Sequence, residues 1–154
     1  LALVWVTMQF GTWAFGDRAG RYAGMVIGTC IGLWLFTRIQ IPDAILTLTI
    51  TVAMWSFLRS LEEGGWRWPL AMWASIGVGL LLKGLIAAVF PVAAAVIYLA
   101  VTKQLLSWDV VRRLRPFSGV LVVLLIAAPW HVAATLANPP YFDLTMKSEP
   151  GQYH

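Results

Sequence analysis

Three charged residues stand where charge is costly: Arg38 and Asp43 in the connection Arg38-Ile39-Gln40-Ile41-Pro42-Asp43, and Lys83 inside the apolar run Gly79-Leu80-Leu81-Leu82-Lys83-Gly84-Leu85. Ionisable groups at membrane depth are rare and by default mark a working site. A carboxylate there can bind a polar substrate or a metal, and a guanidinium or ammonium can hold a phosphate. Each also has a plainer reading. Pro42 biases the chain toward starting a helix, which would put Asp43 in a first turn favoured by the helix dipole, with Arg38 as an interfacial anchor. Lys83 can likewise extend its stem to bring the ammonium to the interface, or serve as a fixed point charge for an anionic headgroup, with Gly84 letting the backbone come close.

The elements that must position these groups are membrane segments. Of 154 residues, 60% are hydrophobic and 12% charged, mean hydropathy is +0.77, and nine are tryptophan. A soluble domain of this size could not cover so much apolar surface. The expected fold is all-α, a polytopic transmembrane helical bundle, because no stretch shows the alternation of a barrel strand. Charges and Gly/Pro punctuation mark about six apolar segments, near 1–15, 22–37, 44–60, 68–82, 85–101 and 117–136. Only the last reaches the ~20 residues of a comfortable span. The stretch 68–101 reads as two short helices broken at Lys83-Gly84.

With the connections near 16–21, 59–67 and 102–116 on the cytoplasmic side, that side holds Arg18, Arg21, Arg59, Arg67, Lys103, Arg112, Arg113 and Arg115. The other keeps Arg38, Lys83 and Lys147. The bias follows the positive-inside rule and predicts a multi-pass membrane protein with Asp43 and Lys83 facing outward, the periplasmic side if the cell is a diderm bacterium, whose inner membrane would then hold it. A net charge of +4 spread over loops fits this rule and gives no phosphate-tracking stripe, so nucleic acid is not an expected partner. Trp13, Trp66, Trp68 and Trp108 lie near segment ends, as interfacial anchors should.

Other groups carry less. Cys30 reads as a small buried packing residue without a disulfide partner. Gly77, Gly79 and Gly84 could be helix-packing notches. His131, after Pro129-Trp130, could donate to a phosphate or ligate a metal, but a lone histidine is more often structural. Asp143, Glu149 and His154 match no closed metal motif and read as a solvated tail. There is no phosphate loop, nucleophile elbow or His-Glu-x-x-His helix. The chain opens inside an apolar segment without a signal-peptide pattern, and residues 1–154 read as one transmembrane domain, a piece of a longer protein lacking its N-terminal and C-terminal parts.

The order of short motifs is familiar: Arg38-x-x-x-Pro42-Asp43 opening one helix, Leu82-Lys83-Gly84 opening a later one, and Arg112-Arg113-Leu114-Arg115 before a helix ending in Pro129-Trp130. This order resembles the middle of the polytopic GT-C glycosyltransferases that take sugar from a polyprenyl-phosphate carrier. The nearest group is the aminoarabinose (lipid A) transferase and dolichyl-phosphate-mannose protein mannosyltransferase-like family. The resemblance implies transfer from a polyprenyl-phosphate-linked sugar to a lipid, glycan or protein acceptor at the outer face. It implies that Asp43 lies near the catalytic centre, Lys83 holds the carrier phosphate and Arg38 is a basic partner. His131 stands where the family often has tyrosine. It also implies that the principal catalytic aspartate lies upstream of Leu1, and a later histidine and glutamate downstream of His154. A bound divalent metal ion could assist the departing phosphate, with no ligand set assigned in this chain. The rival functions are a secondary transporter with Arg38, Asp43 and Lys83 along its pathway, and a non-catalytic scaffold in which all three tolerate substitution.

Overall fold

The computed structural model describes residues 1–39, 42–105 and 107–137. Asp143, Lys147, Glu149 and His154 lie outside them. The described residues contain helices and no strand: α1 (Ala2–Phe15), α2 (Asp17–Thr29), α3 (Ile31–Arg38), α4 (Asp43–Glu62), α5 (Arg67–Lys83), α6 (Ile86–Val101), α7 (Trp108–Leu114) and α8 (Pro116–Ala137).

α1 and α2 form a hairpin turned by Gly16 alone, at φ +90°. The expected connection over 16–21 is therefore mostly helix, because Asp17 complements the dipole of the first turn and glycine supplies the left-handed backbone. The two helices touch through small residues: a Cβ built on Gly20 would lie 2.6 Å from the Met8 carbonyl oxygen, and one on Gly11 3.0 Å from the Gly20 Cα. Between helices in lipid the drive is close packing, and such notches are how backbones approach.

The single expected segment 22–37 is two helices. Cys30 is extended (φ −66°, ψ 119°), and Thr29 Oγ1 donates to the Met25 carbonyl (2.8 Å) at the end of α2. Cys30, expected buried, is exposed at this break. The break at Lys83-Gly84 is present as expected, with Gly84 at φ +70°. The basic connection 102–116 contains α7, which Arg115 ends in the left-handed conformation.

α4 is the central helix, with α1, α5, α6 and α7 packed on it. At 20 residues it is long enough to span, contrary to the expectation that only the last segment would be. Its threonines suit an apolar setting because each hydroxyl is returned to its own helix: Thr47 to the Asp43 carbonyl, Thr49 to Leu46 and Thr51 to Thr47, all at 2.8 Å. The core joins Ala53 and Phe57 of α4 to Met72 and Ile76 of α5, Leu99 of α6 and Val110 of α7. Phe57 meets Tyr98 edge-on with centroids 5.9 Å apart.

α8 lies on α5. Gly77 and Gly119 are its contact points, facing Ile126 and the Trp73 indole, while Gly79 meets Thr49 and Ala87, so two of the three expected notches pack helices and Gly84 makes the turn. Trp73 Nε1 donates to the Leu114 carbonyl at 2.9 Å, tying α5 to the α7–α8 corner. Trp73→Phe should remove about 1 kcal/mol of stability. A fall of a few degrees in the melting temperature of the detergent-solubilised protein would register it.

Among the described residues, two stretches are long and apolar enough to cross a membrane: Asp43–Glu62, with mean hydropathy 1.5, and Trp108–Ala137, with 2.2. Leu121, Leu124 and Leu125 of α8 are exposed. In water this face would be a large apolar patch; in a bilayer it is solvated by acyl chains.

Candidate functional site

Pro42 precedes the first turn of α4 at φ −67°, and its carbonyl accepts from Leu46 N at 2.8 Å. Asp43 is the first helical residue, but its side chain makes no capping hydrogen bond. It pairs instead with Lys83 Nζ, the last residue of α5. The helices are antiparallel neighbours here, so the carboxylate sits at a positive helix end and the ammonium at a negative one. Gly84 then turns the chain, its N–H donating to the Leu80 carbonyl at 2.9 Å.

The side chains of Lys83 and Asp43 are 44% and 30% exposed, which decides their part in the fold. A pair this accessible contributes at most ~1 kcal/mol, and either charge can change partner cheaply. Below it opens a groove of about 520 Å³, walled by Leu3, Leu33, Leu46, Ile50, Ile86 and Phe90. A fixed cation and anion at the mouth of an apolar cleft suit an amphiphile with an anionic head and a hydrocarbon tail.

Two of the three expected site charges are thus brought together across 40 positions of sequence. Arg38 is not part of the pair. It closes α3 and stacks over Trp34 of its own helix, 4.8 Å from the ring centroid, and among the described residues no ion pair joins it to Asp43. Its i,i+4 neighbour captures the guanidinium first. His131 is exposed on α8 and its carbonyl accepts from Thr135 Oγ1 at 2.8 Å. No group of three His, Cys, Asp or Glu able to hold a metal ion occurs among the described residues. Cys30 does line the groove, a place that its isolation in the sequence gave no reason to expect.

A second cluster lies at the opposite end of the helices. Arg59 is enclosed by the rings of Trp13 (5.2 Å), Trp55 (5.9 Å) and Trp68 (4.8 Å) and paired with Glu63, which also accepts from Trp68 Nε1 at 2.6 Å. Trp13 and Trp68, expected as interfacial anchors, therefore box a cation, whereas Trp66 and Trp108 are exposed. Trp55 and Arg59 on α4 and Glu63 just past its end recur every four residues, a signal that loop-counting of charges passes over. Arg59→Ala should cost about 2 kcal/mol, because it removes several partly desolvated cation–π contacts. Arg59→Lys should recover only part of this, and thermal unfolding of the two variants separates the cases.

An all-helical fold with spanning-length apolar stretches and a charge pair over a lipid-sized groove defines an integral membrane protein with a site at one end of its helices. The dolichyl-phosphate-mannose-protein mannosyltransferase family profile matches residues 1–132, and the chain belongs to that family. It is 31% identical over 146 residues to an undecaprenyl phosphate-α-4-amino-4-deoxy-L-arabinose arabinosyl transferase of Aeromonas salmonicida, and 36% identical over 146 residues to the protein of that name from Aeromonas hydrophila. Each match covers 92% of this chain and 25% of the relative, so the chain spans about a quarter of the length of the curated relatives it matches. The structure is similar to the apo crystal structure of ArnT from Cupriavidus metallidurans, with a TM-score of 0.78 and 26% identity, over 98% of this chain and 28% of that one. The resemblance read from the ordered motifs is borne out, and the helices have the expected GT-C architecture.

Proposed function

We propose that the complete protein is a membrane glycosyltransferase that moves a sugar from a polyprenyl-phosphate carrier to a lipid, glycan or protein acceptor at the outer, periplasmic face of the bacterial inner membrane. The observation that carries this is the Lys83–Asp43 pair at the mouth of the apolar groove. The names of the curated relatives favour undecaprenyl phosphate as carrier and 4-amino-4-deoxy-L-arabinose as sugar, hence lipid A modification. The ends of α3, α4 and α5 that bear Arg38, Asp43 and Lys83 would face outward in a multi-pass arrangement.

The chemistry suits such a pair. The acceptor hydroxyl attacks the anomeric carbon, the carbon–oxygen bond to phosphate breaks, and the hydroxyl proton passes to a base. The donor phosphodiester carries one negative charge, and the phosphate released on the carrier gains a second. Lys83 therefore interacts more strongly as the bond breaks, the condition for accelerating the step rather than merely binding the donor. When the phosphate takes Lys83, Asp43 is released toward the reacting centre, where it can orient the acceptor. Arg38 is a basic partner at the same end. A divalent ion could add positive charge with Asp43 as one ligand. Among the described residues no group of three His, Cys, Asp or Glu gathers there to complete a metal site.

The test is transfer by the complete reconstituted protein from a synthetic polyprenyl-phosphate-linked sugar. Glycosylated acceptor and free carrier phosphate should appear together. Turnover with a soluble nucleotide-sugar and none with the lipid donor would overturn the reading. Orientation has its own check in Cys30, exposed in the groove wall. With any other cysteines replaced, an impermeant maleimide should label it from the periplasmic side only, and bound carrier phosphate should protect it. Access that switches sides with substrate would instead mark a transporter.

A further inference from the structure

The corner between α7 and α8 divides its three arginines. Arg113, exposed like its neighbours, donates to the Leu61 carbonyl at the end of α4 and fastens α7 to the bundle. Arg112 and Arg115 are exposed and, among the described residues, no carboxylate pairs with either; Asp109 on the same helix makes no ion pair with them. Both line a cleft of about 450 Å³ whose other walls include Trp108, Phe117 and Ser118. The cleft owes its form to Arg115, whose left-handed backbone (φ 46°) ends α7, with Pro116 starting α8 directly. Ser118 Oγ donates to the Arg115 carbonyl at 3.0 Å and braces the turn.

Its surroundings identify the occupant. The exposed apolar length of α8 begins at this point, with Phe117 91% exposed, so the cleft lies where an acyl region gives way to headgroups. Trp108, 76% exposed, stands at the same level, as an indole does at a membrane interface. Two unpaired guanidiniums beside two exposed rings match a phosphate with glycerol and acyl chains attached, because the guanidinium forks take the phosphate oxygens and the rings take the chain. The basic residues Arg18, Arg21, Arg67 and Lys103 belong to the same end of the helices, the cytoplasmic end by charge bias, where anionic phospholipids are attracted to basic juxtamembrane segments.

We propose that the α7–α8 corner is a binding site for an anionic phospholipid of the cytoplasmic leaflet, held by Arg112 and Arg115 and flanked by Trp108 and Phe117. The site is at the opposite end of the helices from Asp43 and Lys83 and stands independently of the transferase reading.

The experiment uses the complete protein in bilayer nanodiscs containing phosphatidylglycerol with a photoactivatable group near the headgroup. Label should concentrate in the peptide carrying residues 108–118, and unlabelled phosphatidylglycerol should compete, whereas phosphatidylcholine should not. Label spread evenly over the lipid-facing helices would overturn the proposal, as would equal competition by phosphatidylcholine. Displacement by inorganic phosphate at matched ionic strength would assign the cleft to a soluble anion and overturn the lipid. In the paired variant Arg112→Gln with Arg115→Gln, retention of phosphatidylglycerol should fall roughly 25-fold, about fivefold for each basic group at an anionic surface. Arg67→Gln, at the same end but outside the cleft, should retain it. An equal fall in both variants would show diffuse attraction in place of a site. Because the labelling pattern is read on the unaltered protein, the result stands even if the paired variant fails to fold.

Discussion

Lys83→Ala in the complete protein is expected to lower kcat/KM for the lipid-linked donor about 10- to 150-fold, the worth of one charge-assisted hydrogen bond. The loss should appear in kcat as well as KM, because the interaction grows as charge develops on the departing phosphate. Expression and helix content should be unchanged, since the half-exposed pair with Asp43 contributes at most ~1 kcal/mol to the fold. Lys83→Arg should fall between, keeping the charge but presenting a planar fork where a compact ammonium sits. Asp43→Asn separates the site from a mere surface pair. If the two residues serve only each other, Asp43→Asn and Lys83→Ala together should cost no more than either alone. A working site predicts that each abolishes a different contribution and that the double variant is the weakest. An active Lys83→Ala protein with unchanged donor KM would sink the assignment.

The second large effect is on stability and comes from a single methyl group. Gly20→Ala should force α1 and α2 apart, because the new Cβ meets backbone on the facing helix: it would lie 2.6 Å from the Met8 carbonyl oxygen and press on Thr12. Backbone cannot rotate away as a side-chain tip can. The cost should reach the ~3 kcal/mol upper end of ordinary overpacking, with a clear drop in melting temperature and in the fraction recovered monodisperse from detergent. Two further glycines calibrate the measurement. Gly16→Ala meets no neighbouring atom but must hold φ +90°, so it should cost ~1 kcal/mol or somewhat more from backbone strain. Gly64→Ala meets neither obstacle and should be close to neutral. A Gly20→Ala protein as stable as Gly64→Ala would mean the hairpin is looser than its packing implies.

The helical class and the break at Lys83-Gly84 were legible because they rest on composition and alternation, which a single strand of text displays. Asp43 and Lys83 were legible as candidates for the same reason: each is an ionisable group in an apolar run. Their pairing was not, since it depends on α4 and α5 ending side by side. The contact of Arg38 with Trp34, one turn back on α3, follows from helical register and not from the motif that singles Arg38 out. Charge density over 16–21 looks like a loop in the sequence, yet one glycine suffices to reverse the chain and Asp17 can start a helix immediately. An isolated cysteine in an apolar run suggests burial, and the helix break that exposes Cys30 carries no proline to announce it. The box around Arg59 was written in the four-residue recurrence of Trp55, Arg59 and Glu63, but Trp13 and Trp68 reach it only through packing.

The groove under Lys83 is open to its surroundings at its apolar wall, where Ile86 and Phe90 are exposed. A lipid-borne substrate held there need never leave the bilayer to enter or depart. For such an enzyme the quantity that sets occupancy is the mole fraction of carrier in the membrane plane, not its bulk concentration. Adding inert phospholipid at constant donor should slow turnover by surface dilution, and a Michaelis constant quoted in molar units would change with every batch of vesicles.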